Sequence, residues 1–205
     1  MSTVETSGYV PCLATRSDTD KLATLLADAF QEDPLAVWAF PDEGRRSWLL
    51  PDFFRVFLDL SLEHNGVYTT ADRDAVMLFL PPAGWAAMQA QEQELEWRFA
   101  EIVGDYVDRL LDIVRLQAVH HPSGRPHYYV SFAGVSGQAQ RRGAMSTLLR
   151  RLVAKADNEG LGIYTEASSA GGEATFRRSG GIQIAEDIVL PDGGPTLRPM
   201  WREPR

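Results

Sequence analysis

Apolar residues along this chain repeat at two spacings, and the two meet between residues 127 and 158. Met145, Leu148, Leu149, Leu152, Val153 and Ala156 share one face of a 3.6-residue period, which predicts an amphipathic helix over 145–158. Just before it, residues 127–135 form a run rich in β-branched and aromatic side chains, which predicts a strand. A polar turn with two glycines and two arginines joins them. The first amides of a helix have no intrahelical partner and carry partial positive charge. A strand feeding a glycine-containing turn that opens a helix is therefore a setting for phosphate.

The same patterns divide the rest of the chain. Residues 9–13 predict a short strand, and Ser17 or Asp18 caps a helix through about Phe30. Pro34 opens a short helix, and a third runs over 45–64 with Pro51 at its main start or at a kink. Asn65-Gly66 turns into a hairpin of strands 67–70 and 75–80, which Pro81-Pro82 stops. Residues 85–119 predict helix with a break at Gly104, and 120–126 a loop. After the central strand and helix come a strand over 162–167, a helix over 173–178, and strands over 182–190 and 196–201. The expectation is a single α+β domain over residues 1–205, a central mixed, mostly antiparallel sheet flanked by helices.

The net charge of −8 runs against nucleic acid and anionic membranes as partners and suits a cationic small molecule. Cys12, the single cysteine, excludes an intrachain disulfide and reads as a buried, inert thiol in a strand. No Cys/His spacing suggests zinc, so no metal is expected. The N-terminus lacks a basic-then-apolar leader, and no apolar run approaches the about 18 residues of a membrane span. A soluble, cytoplasmic protein is the expectation.

The turn Gln140-Arg-Arg-Gly143-Ala-Met145 has neither Gly-Lys-Ser/Thr nor Gly-x-Gly-x-x-Gly. It resembles the Gln/Arg-x-x-Gly-x-Gly/Ala loop of the GNAT acyltransferases, with Met145 in the last, small-residue position. Further stretches extend the resemblance over nearly all the chain: Ala27-Asp-Ala-Phe-Gln-Glu-Asp-Pro34, Trp38-Ala-Phe-Pro-Asp42, Leu78-Phe-Leu-Pro-Pro82, Tyr164-Thr-Glu-Ala-Ser168 and Leu190-Pro-Asp-Gly193. It is closest to the puromycin N-acetyltransferase-like branch.

The resemblance implies a GNAT fold and acetyl transfer from acetyl-CoA to a small-molecule amine, such as a secondary metabolite or antibiotic. It places backbone amides near Ala133 and Val135 against the thioester arm. Gln140, Arg141, Arg142, Gly143, Ala144, Met145 and Ser146 then face the pyrophosphate. Glu166 becomes the base or anchor for the amine, and Trp38 and Phe40 lie in helices that overhang the acceptor. His127 and Tyr129 alternate with Tyr128 and so share a face, where they touch substrate or relay a proton. The alternative for His127 is a core histidine satisfied by a backbone group. Gly172 and Phe176 fall where the family carries an Asn and a proton-donating Tyr, and Phe has no hydroxyl. Ser168, Ser169, Thr175 or water are the replacement donors. A second reading stays open, a GNAT-fold protein whose cleft binds a ligand or runs another reaction. His120 and His121 receive no role, and the assembly is open between monomer and homodimer.

Overall fold

The computed structural model describes residues 8–205. Its strands are β1 (Pro11–Leu13), β2 (Val67–Thr70), β3 (Ala75–Leu80), β4 (His127–Val135), β5 (Gly162–Ala167), β6 (Ile182–Gln183), β7 (Ile188–Val189) and β8 (Thr196–Arg202). Its helices are α1 (Thr19–Phe30), α2 (Pro34–Ala39), α3 (Glu43–Glu63), α4 (Pro82–Ala90), α5 (Glu92–Val103), α6 (Val107–His120), α7 (Ala144–Glu159) and α8 (Ala170–Arg178). The sheet order is β1-β2-β3-β4-β5-β8-β6, with β7 also on β8. Only β4 and β5 run parallel.

Each face of the sheet is sealed by helices whose apolar stripes the sequence carries. On one face Leu22, Leu26, Leu49, Leu50, Phe54 and Leu58 pack with Val67, Val76 and Leu78. On the other, Leu148, Leu152, Ala156 and Phe176 pack with Tyr68, Met77, Phe79, Tyr128 and Ile163. Pro51 lies inside α3.

Two features of β4 set up the centre of the molecule. The register on β3 steps from Phe79↔Val130 to Leu78↔Phe132, which leaves Ser131 as a bulge. The extra residue turns Phe132 onto the α1/α3 face, where its ring meets Phe30, Phe53, Phe54 and Phe57 at centroid distances of 5.7, 6.3, 5.2 and 4.8 Å. The pairing of β4 with β5 covers only His127↔Gly162 to Tyr129↔Tyr164. Beyond it β4 follows β3 as far as Val135↔Ala75, and β5 follows β8 as far as Ala167↔Arg198. The two strands therefore diverge into a V. At its apex the Thr165 hydroxyl donates to the Val130 carbonyl at 2.9 Å, replacing a ladder bond that the divergence removes.

Four expectations are corrected. The predicted strand over 182–190 is two short strands, because Asp187 leaves the ladder to pair with the Arg198 guanidinium at 2.9 and 3.0 Å. The predicted helix over 85–119 is three helices, starting at Pro82 and broken at Gln91 as well as at Gly104, whose φ is +56°. Helix α8 starts at Ala170, since the Ser169 hydroxyl oxygen accepts the Gly172 amide and caps it there. Cys12 is half-buried in β1, with its thiol 3.5 Å from the Thr69 carbonyl.

Gly162 fixes the start of β5 against β8, since a Cβ there would overlap the Trp201 indole. Gly162→Ala is expected to lower stability by about 1–3 kcal/mol through overpacking, measured by urea unfolding with an unchanged m-value.

Candidate active site

The turn between β4 and α7 leaves a set of amides open. The Gln140 amide donates to the Ser136 carbonyl at 3.1 Å and the Arg142 amide to the Ala139 carbonyl at 3.3 Å. Arg141 and Gly143 adopt left-handed φ values of +61° and +87°. Such a turn aims successive N–H groups into one concavity. The amides of Arg141, Gly143, Ala144, Met145 and Ser146 make no hydrogen bond among the described residues, and no side chain caps α7. The Gln140 and Arg142 amides are thus engaged within the turn itself, and the Arg142 guanidinium donates to the Gln138 carbonyl at 3.5 Å. Met145 packs its side chain against the core beneath α7, so its bulk is taken up there. Ala133 and Val135 lie on the arm of β4 that runs past the β5 pairing, along one side of the V.

Glu166 sits on the opposite arm, on the face covered by α6. Tyr129 donates to its Oε2 at 2.9 Å and Gln117 to the same atom at 3.4 Å. Its Oε1 is buried and has no hydrogen-bond partner among the described residues. Burial pushes the Glu166 carboxyl up to about 7, against the opposing pull of Tyr164, Tyr129 and Gln117. Tyr129 is raised well above the usual phenol range, by burial first and then by the Glu166 charge. Tyr164 is raised for the same reasons.

Beside this carboxylate lies a box of rings. His121, from the end of α6, stacks on Trp85 of α4 at 3.7 Å and 6° between planes. Its ring centroid is 5.0 Å from Tyr129, 5.0 Å from Tyr164 and 4.9 Å from His127. His127 Nδ1 is 2.6 Å from the Arg125 carbonyl, which only accepts, so Nδ1 carries the proton. His127 Nε2 then accepts from His121 Nε2, 3.0 Å away. His121 Nδ1 is left bare, buried and without a partner among the described residues. Burial holds His127 below the usual imidazole range, and burial with the neighbouring His127 takes His121 down to about 3. Both rings line an open groove of about 480 Å³ that also includes Pro82, Trp85, Gln89 and Ala118. His127 thus has a backbone partner, as its bland alternative requires, and shares a face with Tyr129 as expected.

Other sequence candidates fall outside this cluster. Phe40 is 2% exposed, packed edge-on to Phe53 and Tyr106, so its ring is core rather than a substrate wall. Trp38 is half-buried, with its carbonyl held by Arg109 at 2.6 Å and the guanidinium over its ring. Phe176 is buried against Gly181 and offers no proton. Among the replacement donors, Ser168 donates to Asp33 at 3.1 Å and Thr175 to the Gly171 carbonyl at 2.9 Å. Ser169 only accepts, from the Gly172 amide at 3.2 Å, and its own proton is uncommitted.

Three participants escape a reading by pattern. Asp33 reads as a helix breaker, yet it caps α2 through the Leu35 amide at 2.9 Å and holds Ser168 with its other oxygen. Burial raises its carboxyl above the usual range. The Asp-Pro pair that ends α1 was its available signal. Gln117 and His121 reach the site only because α6 crosses the sheet, which no local spacing encodes. Among the described residues no group of three or more His, Cys, Asp or Glu side chains is placed to hold a metal. No described helix is long and apolar enough to cross a membrane.

Solved structures share this arrangement of strands and helices. Histone acetyltransferase HPA2 and related acetyltransferase from Corynebacterium glutamicum superposes with a TM-score of 0.69 at 22% identity, over 96% of this chain and 97% of that one. Polyamine N-acetyltransferase of Drosophila melanogaster gives 0.65 at 15% identity, over 95% and 99%. Arylalkylamine N-acetyltransferase 2 from Aedes aegypti gives 0.64 at 13%, over 97% and 100%. The chain has the GNAT fold. No family model matches it.

Glu166 also leaves a mark on stability. In the unfolded chain a glutamate loses its proton near its ordinary value of about 4.3, whereas here it keeps the proton up to about 7. The native state binds the extra proton between those limits, so this group's contribution falls as pH rises through that window. Glu166→Gln is expected to raise Tm by a few degrees at pH 8, and by less at pH 5, in paired thermal melts. An equal gain at both pH values would remove the buried-charge explanation.

Proposed function

We propose that this protein transfers an acetyl group from acetyl-CoA to a small amine. The observation that carries this reading is Glu166, a buried carboxylate whose proton affinity is tuned near neutrality where β4 and β5 part. A general base works best with a pKa near the operating pH. The amine must be neutral to attack, and Glu166 Oε1, free of partners, is the atom that takes its proton.

The donor fits the rest of the site. The uncommitted amides from Arg141 to Ser146 suit a pyrophosphate at a helix N-terminus, with Arg141 and Arg142 side chains exposed beside it. The backbone edge of β4 from Ala133 to Val135 suits the thioester arm, where N–H groups polarise the carbonyl. Acetyl-CoA supplies the activated acyl group when bound. Ser169, at the head of α8, supplies the proton for the departing sulfur in place of a tyrosine.

The acceptor class follows from charge. Glu166 and Asp33 are both partly screened from solvent on strand and helix ends that converge at Ser168, and the chain is acidic overall. Agmatine, polyamine and arylalkylamine acetyltransferases share the fold, which makes those amines the first acceptors to try.

The test is thiol release from acetyl-CoA with a panel of such amines, with the acetylated product identified by mass. Glu166→Gln is expected to lower kcat/KM by about 10²–10⁴-fold and to abolish the rise of rate with pH through about 7. A wild-type protein that acetylates no amine, or a variant with the same pH profile, would overturn the reading.

A further inference from the structure

Glu166 must lose the proton it gains in each turnover, and the oxygen that takes it is out of contact with solvent. The geometry points to His121 and His127 as a relay that carries this proton from Glu166 out to the groove beside Trp85. Its role in turnover rests on the acetyl-transfer reading above.

Three buried polar atoms of this cluster have no hydrogen-bond partners among the described residues: Glu166 Oε1, Tyr164 Oη and His121 Nδ1. Unpaired buried atoms of this kind are costly, and are retained where a proton or a water must be passed. The relay would run through them in that order. Tyr164 precedes Glu166 by two positions on β5, so both side chains project from one face. His121 lies over that face, in ring contact with Tyr164 at 5.0 Å. The tautomers set its direction. His121 Nδ1 is a bare acceptor toward the interior, and His121 Nε2–H already points at the lone pair of His127 Nε2. Both rings line the groove.

The proton balance is simple. An N–H bond of the amine breaks as Glu166 Oε1–H forms. That O–H then gives its proton by way of Tyr164 Oη and intervening water to His121 Nδ1, since none of the three atoms hydrogen-bonds to another. The His121 Nε2–H bond breaks as His127 Nε2–H forms, and the His127 Nδ1 proton leaves the Arg125 carbonyl for water in the groove. Proton exchange with that water returns both rings to their starting tautomers while the carboxylate is restored. Tyr129 holds Oε2 throughout by its own hydrogen bond and need not move.

The electrostatic surroundings suit transient rather than lasting charge. His121 faces Trp85, Tyr129, Tyr164 and His127; Glu166 faces Gln117, Tyr129 and Tyr164. The nearby Arg125 guanidinium is engaged with Glu203 and with the Trp201 ring. No carboxylate pairs with either histidine among the described residues, so neither ring would trap the proton as a stable ion.

The test uses infrared spectroscopy of the whole protein after a rapid pH jump from below to above the Glu166 titration. The protonated-carboxyl band is assigned by its loss in Glu166→Gln. In His121→Phe, which keeps a ring on Trp85, the band is expected to decay at least about tenfold more slowly to the same endpoint, with added imidazole restoring the rate. An unchanged decay rate would overturn the relay. So would a slower decay with a displaced endpoint and no imidazole rescue, the signature of a structural role. If His121→Phe fails to fold, His121→Gln is read by the same criteria. Acetyl transfer by the wild type is assayed in parallel: its absence sinks the transferase reading, while the band kinetics still decide the proton path.

Discussion

The divergence of β4 from β5 is the constraint on which this molecule depends. Parallel strands ordinarily stay paired to satisfy their backbone groups, and separating them exposes edges. Here each strand keeps one partner, β3 or β8, and gives up the other. The bulge at Ser131 and the wedge of Phe132 among four phenylalanines hold β4 on its own course. The Thr165 hydroxyl seals the apex. The divergence leaves the far ends of β4 and β5 unpaired with each other and places Glu166, with its carboxylate buried, on the β5 arm.

The cleft is costly to build. It holds a carboxylate out of water, with one oxygen unpaired, beside the buried Tyr129, Tyr164 and His127 and the half-buried His121. A core designed for stability alone would fill this space with aliphatic side chains. The stacked Trp85 and the surrounding rings supply compensating contact area. A cluster that destabilises the fold locally yet is satisfied at most of its atoms is the pattern expected of a site with chemistry to perform.

Much of the fold was legible because its elements are strongly periodic. The stripe on α7, the alternation of His127 and Tyr129, the Asp33-Pro34 and Asn65-Gly66 breaks and the hairpin all follow from local rules. What was illegible depends on distant partners. The strand over 182–190 is split by Arg198, a residue from another strand. Gln91 ends a helix with no glycine or proline to announce it. At the site, Glu166 was visible from its strand and its apolar neighbours, and the turn from its glycines and arginines. His121 was not, because its position depends on where α6 ends relative to the sheet. Phe40 looked like a pocket residue by its place in the chain but is core, since α3 and the segment at Tyr106 close over it.

Whether the V and the uncapped turn act together as a donor site is the question beneath all the others. Calorimetric titration of the purified protein with acetyl-CoA addresses it without reference to any acceptor. A cleft whose free amides suit a pyrophosphate and whose open strand edge suits the thioester arm should bind the nucleotide with a Kd in the micromolar range, about −8 kcal/mol. Absence of binding heat at millimolar acetyl-CoA, confirmed by an unchanged Tm, would contradict it.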